Sequence, residues 1–118
     1  MAVKVIDKAE WADLSVGAED WRGEFEGGPY GAGICVIFVR TDKIGDGPRL
    51  HQHPYPETFI VRKGRVRFTV GEATIDAVAG QIVVCPPDTP HKFENLGPGL
   101  LEQIDIHEAG RFSTQWLE

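Results

Sequence analysis

The chain has 118 residues, a length typical of one domain and sufficient to bury a core without disulfide staples. It is 42% hydrophobic and 25% charged, with a formal charge of −6 and no cluster of lysine or arginine. That excludes the basic face nucleic-acid binding requires, and no apolar stretch approaches the roughly 20 residues of a membrane span.

The start, MAVKVIDKAEW, lacks the apolar core of a secretory signal, so the expected location is the cytoplasm. Cys35 and Cys85 each lie in an apolar run, where a reduced, buried thiol is expected. Fourteen glycines and eight prolines separate short apolar runs, the pattern of a chain of strands and turns. Residues 1–118 are expected to form one domain, with a barrel core at about 32–107 and terminal extensions packing on the barrel or on a partner.

In chain order, Lys8 to Leu14 suits one short turn of helix. Strand-like runs then follow: ICVIFVR, TFIVRK, RVRFTV, ATIDAV, QIVVC, HKFEN and LEQIDIH. The run Ile34 to Val39 is apolar on both faces. Either it lies centrally in a packed sandwich, or a second subunit covers its outer face; a small barrel has little else to cover it, so a homodimer is expected. The strand Arg65 to Val70 alternates, with Val66, Phe68 and Val70 on one face and Arg65, Arg67 and Thr69 on the other, as a half-buried strand does.

The segment GDGPRLHQHPYPETFIVRKG, Gly45 to Gly64, holds two of the four histidines and a glutamate between two glycines. His51 and His53 share one face of an extended strand. Pro54 and Pro56 exclude a helix, and if the chain stays extended through them, Glu57 rejoins that face, followed inward by Phe59 and Val61. A second segment, GQIVVCPPDTPHKFEN, Gly80 to Asn95, supplies His91 after a proline-stiffened turn. A His-x-His alone is more often two surface histidines. Joined by Glu57 and His91, it reads as a divalent-metal site whose ligands suit Fe, Mn, Ni, Zn, Co or Cu better than Ca or Mg. Four protein ligands leave about two positions open in an octahedral shell for water, oxygen or a substrate's oxygen atoms.

These two segments resemble the paired motifs of the cupin superfamily. The first motif, Gly-x5-His-x-His-x3,4-Glu-x6-Gly, is filled by Gly45, His51, His53, Glu57 and Gly64. The second, Gly-x5-Pro-x-Gly-x2-His-x3-Asn, is filled by Gly80, Pro86, His91 and Asn95, with Asp88 in place of the inner glycine. Asp tolerates left-handed turn geometry, so the turn is expected to survive that departure. The motifs lie 15 residues apart, Arg65 to Ala79, and cover about a third of the chain.

The resemblance implies an all-β cupin barrel, a jelly roll or double-stranded β-helix of two antiparallel sheets. It implies His51, His53, Glu57 and His91 as ligands of one divalent transition metal, and a homodimer. It also implies a metal-dependent enzyme acting on a small oxygen-bearing organic molecule. Dioxygenase chemistry ranks first, with isomerase, decarboxylase or lyase chemistry next. The alternatives are a non-catalytic module that binds or senses a small molecule, and an inactive cupin with a structural metal.

Four further residues are weak catalytic candidates. His107 shares a face with Asp105 and Gln103; if that face lines the barrel, it is a proton carrier, and otherwise a surface or interface histidine. Gln103 can donate a hydrogen bond into a cavity. Arg40 and Arg49 flank the loop leading to the site and suit a substrate carboxylate, or else are solvated loop arginines.

Overall fold

The computed structural model describes residues 2–15, 17 and 19–118. Its strands are β1 (Gly23–Glu26), β2 (Cys35–Thr41), β3 (His51–Gln52), β4 (Glu57–Lys63), β5 (Arg65–Val70), β6 (Ala73–Val78), β7 (Ile82–Cys85), β8 (His91–Asn95), β9 (Leu101–His107) and β10 (Gln115–Trp116). All seven strand-like runs are strands, and Lys8–Glu10 forms a single 3-10 turn. The strands make two antiparallel five-stranded sheets, ordered β1-β2-β9-β4-β7 and β10-β3-β8-β5-β6. This is the antiparallel two-sheet jelly roll that the resemblance implies.

The pairs β5–β6, β4–β7, β3–β8 and β2–β9 nest around one hairpin, whose two-residue turn begins at Gly71 with φ 58°. The three glycines of the motifs also take left-handed backbone, Gly45 at φ 86°, Gly64 at φ 88° and Gly80 at φ 92°. At Gly64 a Cβ would in addition collide with the Leu100 carbonyl. Asp88 holds φ 55°, so the substituted turn keeps its geometry. Asn95, the last residue of the second motif, is buried and tied to loops on both sides. Its amide donates to the carbonyls of Lys43 and Gly99, each at 3.2 Å, and its Oδ1 accepts from Gly97 N–H at 3.0 Å.

The core between the sheets gathers Phe59, Val61, Val66, Phe68, Ala77, Cys85, Phe93 and Leu101. Phe68 meets Phe59 at 4.8 Å and Phe93 at 5.8 Å between ring centroids. Val66 and Phe68 are buried and Val70 packs against this cluster, as the alternation of Arg65 to Val70 predicts. Cys35 and Cys85 are free and buried.

The two-sided run at β2 has a cover from its own chain. Trp11 stacks on Phe38 with centroids 4.1 Å apart, and Trp21 meets the same ring edge-on at 5.7 Å. The expectation of a second subunit therefore gains nothing from Phe38. Farther across the outer face of the same sheet the apolar surface continues uncovered. Phe38, Ile104, Ile60 and Ile82 form one cross-strand row and Val36, Ile106, Thr58 and Val84 the next. Ile82 and Val84 are each 62% exposed.

Candidate metal centre

The side chains at 51, 53, 55, 57, 59 and 61 are all buried. The parity read from the sequence thus survives the proline-containing link, although only its two ends, β3 and β4, are strand. His91 begins β8, and its Cα pairs directly with that of His51. One ligand atom from each of His51, His53, Glu57 and His91 lies within 4.8 Å of all the others, and all four residues are buried.

Each imidazole of this set is oriented by the backbone. Nδ1 of His51 donates to the Arg49 carbonyl at 2.6 Å, that of His53 to Ser113 at 2.8 Å and that of His91 to Thr89 at 2.9 Å. A carbonyl cannot donate, so the proton must sit on Nδ1, leaving Nε2 as the inward, ligating atom. Glu57 Oε1 lies 3.1 Å from Nε2 of both His53 and His91. Two metal bonds of about 2.1 Å at right angles put their donor atoms about 3.0 Å apart, so this spacing suits neighbouring positions around one ion.

His53 Nε2 aims past the carboxylate and has no hydrogen-bonded partner among the described residues. Two lone-pair atoms facing each other at 3.1 Å in a buried site need a cation between them. The donor set therefore fits one divalent transition metal. When no metal is bound, a proton meets part of that need. Burial disfavours a charged His91, but hydrogen bonds that the charged ring donates to Cys85 and Glu57 outweigh it and push the imidazole up to about 10. Burial likewise opposes ionisation of Glu57, yet His107, His53 and His91 together hold it well below the usual carboxylate range. His51 is pushed down, chiefly by burial, towards its neutral, ligating form.

His107 is buried at this centre, not at the surface. Its Nε2 lies 3.1 Å from Glu57 Oε2, the carboxylate oxygen turned away from His53 and His91. Its Nδ1 is 2.7 Å from the hydroxyl of Tyr55, which also accepts the Ser113 N–H at 3.2 Å. Burial raises the Tyr55 hydroxyl, so it stays protonated and donates to Nδ1. Gln103 is buried too, with its amide donating to Asp105 Oδ1 at 2.7 Å and its own oxygen unpartnered. Arg40 and Arg49 lie away from the metal set. Arg40 pairs with Asp20 at 3.2 Å and Glu102 at 3.7 Å, and the Arg49 guanidinium stacks 5.0 Å from the Trp116 ring centre.

Two residues of the centre were not singled out from the sequence. Tyr55 carries the same odd parity as the ligands beside it. Asp105 alternates with Ile104 and Ile106 on the face of His107. It lines the cavity, and burial, followed by the charge of Glu57, raises its carboxyl well above the ordinary range. That cavity, about 320 Å³, opens over His51, His53, Glu57 and His107. Phe112, Thr114 and Trp116 of the C-terminal segment form part of its wall.

A family model for the cupin domain matches residues 38–107, more than half of the chain. An uncharacterized protein of Methanocaldococcus jannaschii is 33% identical over 55 residues, which are 46% of this chain and 44% of that protein. Among solved structures, a Bacillus subtilis oxalate decarboxylase studied for its Mn(II) centres matches with a TM-score of 0.72 and 22% identity. That match covers 80% of this chain and 27% of the enzyme. Lactobacillus farciminis oxalate decarboxylase, as its formate complex, matches with a TM-score of 0.67 and 23% identity over 75% of this chain and 28% of its own. The chain thus spans less than half of the curated relative and about a quarter of each decarboxylase, and at these identities the likeness is one of fold.

Proposed function

The chain belongs to the cupin domain family, and from that premise we propose that it is a metal-dependent enzyme acting on a small oxygen-bearing organic molecule. Three imidazoles pinned through Nδ1 to backbone carbonyls, with Nε2 turned towards Glu57 Oε1 beneath a cavity, carry this reading. His51, His53, Glu57 and His91 would hold the ion. When bound, it supplies Lewis-acid and, for Fe, Mn or Cu, redox chemistry at open positions facing the cavity.

The rest of the chain binds and orients. His107, steadied by Tyr55, lies beside the second oxygen of Glu57 while Oε1 faces His53 and His91, and it is proposed as the imidazole that carries a proton at the cavity floor. Ile37, Val39, Phe93, Phe112 and Trp116 exclude water and receive the body of the ligand. Oxygenase chemistry is the leading reaction class, with decarboxylation, isomerisation and lyase chemistry following. Manganese is supported among the candidate ions by the centres of the Bacillus subtilis relative.

The test is metal reconstitution followed by oxygen-uptake and product assays over a panel of diketones, catechols, hydroxyketones and keto-acids. Turnover that requires metal supports the enzyme. Stoichiometric metal with ligand binding but no turnover makes the protein a sensing module.

Two copies are proposed to pair through the uncovered apolar face around Ile60, Ile82, Val84 and Ile104, whose rim carries Arg40, Arg62 and Glu102. Among the described residues no helix is long and apolar enough to cross a membrane. The buried free thiols of Cys35 and Cys85 favour a reducing compartment such as the cytoplasm.

A further inference from the structure

The charge pattern of the cavity narrows the class of ligand, an inference that rests on the metal-centre reading above. The polar side chains on the cavity wall, beyond the metal-binding set and His107, are Glu24, Asp105 and Thr114. Among the described residues no lysine or arginine lines it. The neighbouring arginines are committed elsewhere. Arg22 and Arg40 line an adjoining groove of about 570 Å³, where Arg22 pairs with Asp13 at 3.0 Å and Arg40 with Asp20 and Glu102. Arg49 stacks on Trp116.

A divalent ion together with ionised Glu57 carries one net positive charge. A dicarboxylate brings two negative charges and calls for a guanidinium or ammonium partner to take the oxygens that do not reach the ion. This wall offers carboxyl groups there instead. A neutral molecule with two adjacent oxygens that releases one proton to solvent as it chelates would balance the centre. Its carbon skeleton would then lie against Phe93, Phe112 and Trp116. The cavity volume, about 320 Å³, stands at the small end of ligand pockets, enough for one ring with short substituents.

We infer that the site takes an uncharged, mainly aromatic or apolar molecule with adjacent hydroxyl or keto oxygens, and discriminates against small dicarboxylates. The class comprises catechols, hydroxyketones and diketones; oxalate is the excluded case.

The test uses the full chain loaded with cobalt(II), its metal content fixed by elemental analysis before any ligand is added. Catechol and oxalate are titrated separately while the visible cobalt bands are followed, and each affinity is divided by that for free aqueous cobalt(II). The expected result is a preference for catechol over oxalate at least about tenfold greater than that of the free ion. Ile37→Arg and Phe112→Arg, which each bring a guanidinium to the wall, should lower the preference at least about tenfold with metal content unchanged. A protein-bound ion that keeps or reverses the aqueous preference, or that binds neither ligand, overturns the inference. A chain that takes up no stoichiometric cobalt at the outset overturns the metal-centre reading itself, so the two failures are distinct.

Discussion

Replacing His53 by alanine removes one of the four ligand atoms, whereas replacing His107 removes a side chain that packs on Glu57 and the His53 ring but belongs outside the ligand set. A four-ligand structural zinc site is worth about 10–16 kcal/mol at neutral pH, so an equal share per ligand is about 2.5–4 kcal/mol, or roughly 10²–10³-fold in affinity. Loss of a partner that orients a ligand costs roughly 10–100-fold. His107 belongs at the low end of that range, because its Nε2, though 3.1 Å from Glu57 Oε2, is not aligned for a hydrogen bond. His53→Ala is therefore expected to weaken binding at least about tenfold more than His107→Ala. The assay is competition for zinc against a chromophoric chelator, with circular dichroism melts of both metal-free variants to establish folding. Cobalt(II) spectra add a second readout. The band positions of the wild type should persist in His107→Ala and change in His53→Ala. Equal losses, or a larger loss at His107, would mean that the ligand set has been drawn wrongly.

In the metal-free protein His91 holds its proton up to about 10, so metal binding at pH 8 should expel about one proton. Calorimetry in buffers of different ionisation enthalpy would give a slope near one, and a slope of zero would show His91 already neutral. Because that folded-state value is raised above the ordinary 6.5, the contribution of His91 to metal-free stability is complete below 6.5 and fades as pH rises towards 10. Melting temperature against pH checks it, and a rise across that window would contradict the sign. Glu57 is depressed, so its contribution holds above about 4.5 and is lost on acidification, which urea titrations at pH 5 and pH 3 would detect. Phe68→Ala, at a position with no exposure in the shared core, should cost about 3–5 kcal/mol in denaturant unfolding; a loss below about 1 kcal/mol would place that ring outside the core. Ile82→Lys combined with Val84→Lys should convert a species of twice 13.0 kDa to the monomer in light scattering, and an unchanged mass would remove this face as the dimer contact.

Period-two alternation made most of this molecule legible. It placed Val66 and Phe68 inward, and it carried the ligand face from His51 across two prolines to Glu57. The strands it missed are β1 and β10, four and two residues long, the first held by the neighbouring β2 and the second by the distant β3. So short a stretch shows no period of its own. Arg40 was weighed by its nearness to the loop, although parity already set it opposite Val39, which faces the cavity. Asp105 is the converse case: its parity was visible, but a carboxyl between two isoleucines gives no sign of whether its side of the strand meets water or a cavity. Trp11 and Trp21 lie far from Phe38 in sequence, so the cover they provide was open to confusion with that of a partner.

The nested strand pairing bears on how the protein is assembled in time. Apart from the β5–β6 hairpin, the nested pairs join strands distant in sequence, and such topologies fold slowly because long loops must close before any contact repays them. His51, His53 and Glu57 are close together in any conformation of the chain, but His91 is 34 residues beyond Glu57 and arrives only when β8 docks on β3. An ion meeting the unfolded chain finds three donors and an incomplete grip, so part of its affinity is spent on the wrong state. Most of its stabilisation falls after the rate-limiting closure, where it slows unfolding and leaves the folding rate nearly untouched. The ion acts as a latch on the finished barrel, and the lifetime of the folded state will follow metal supply more closely than the speed of its formation does.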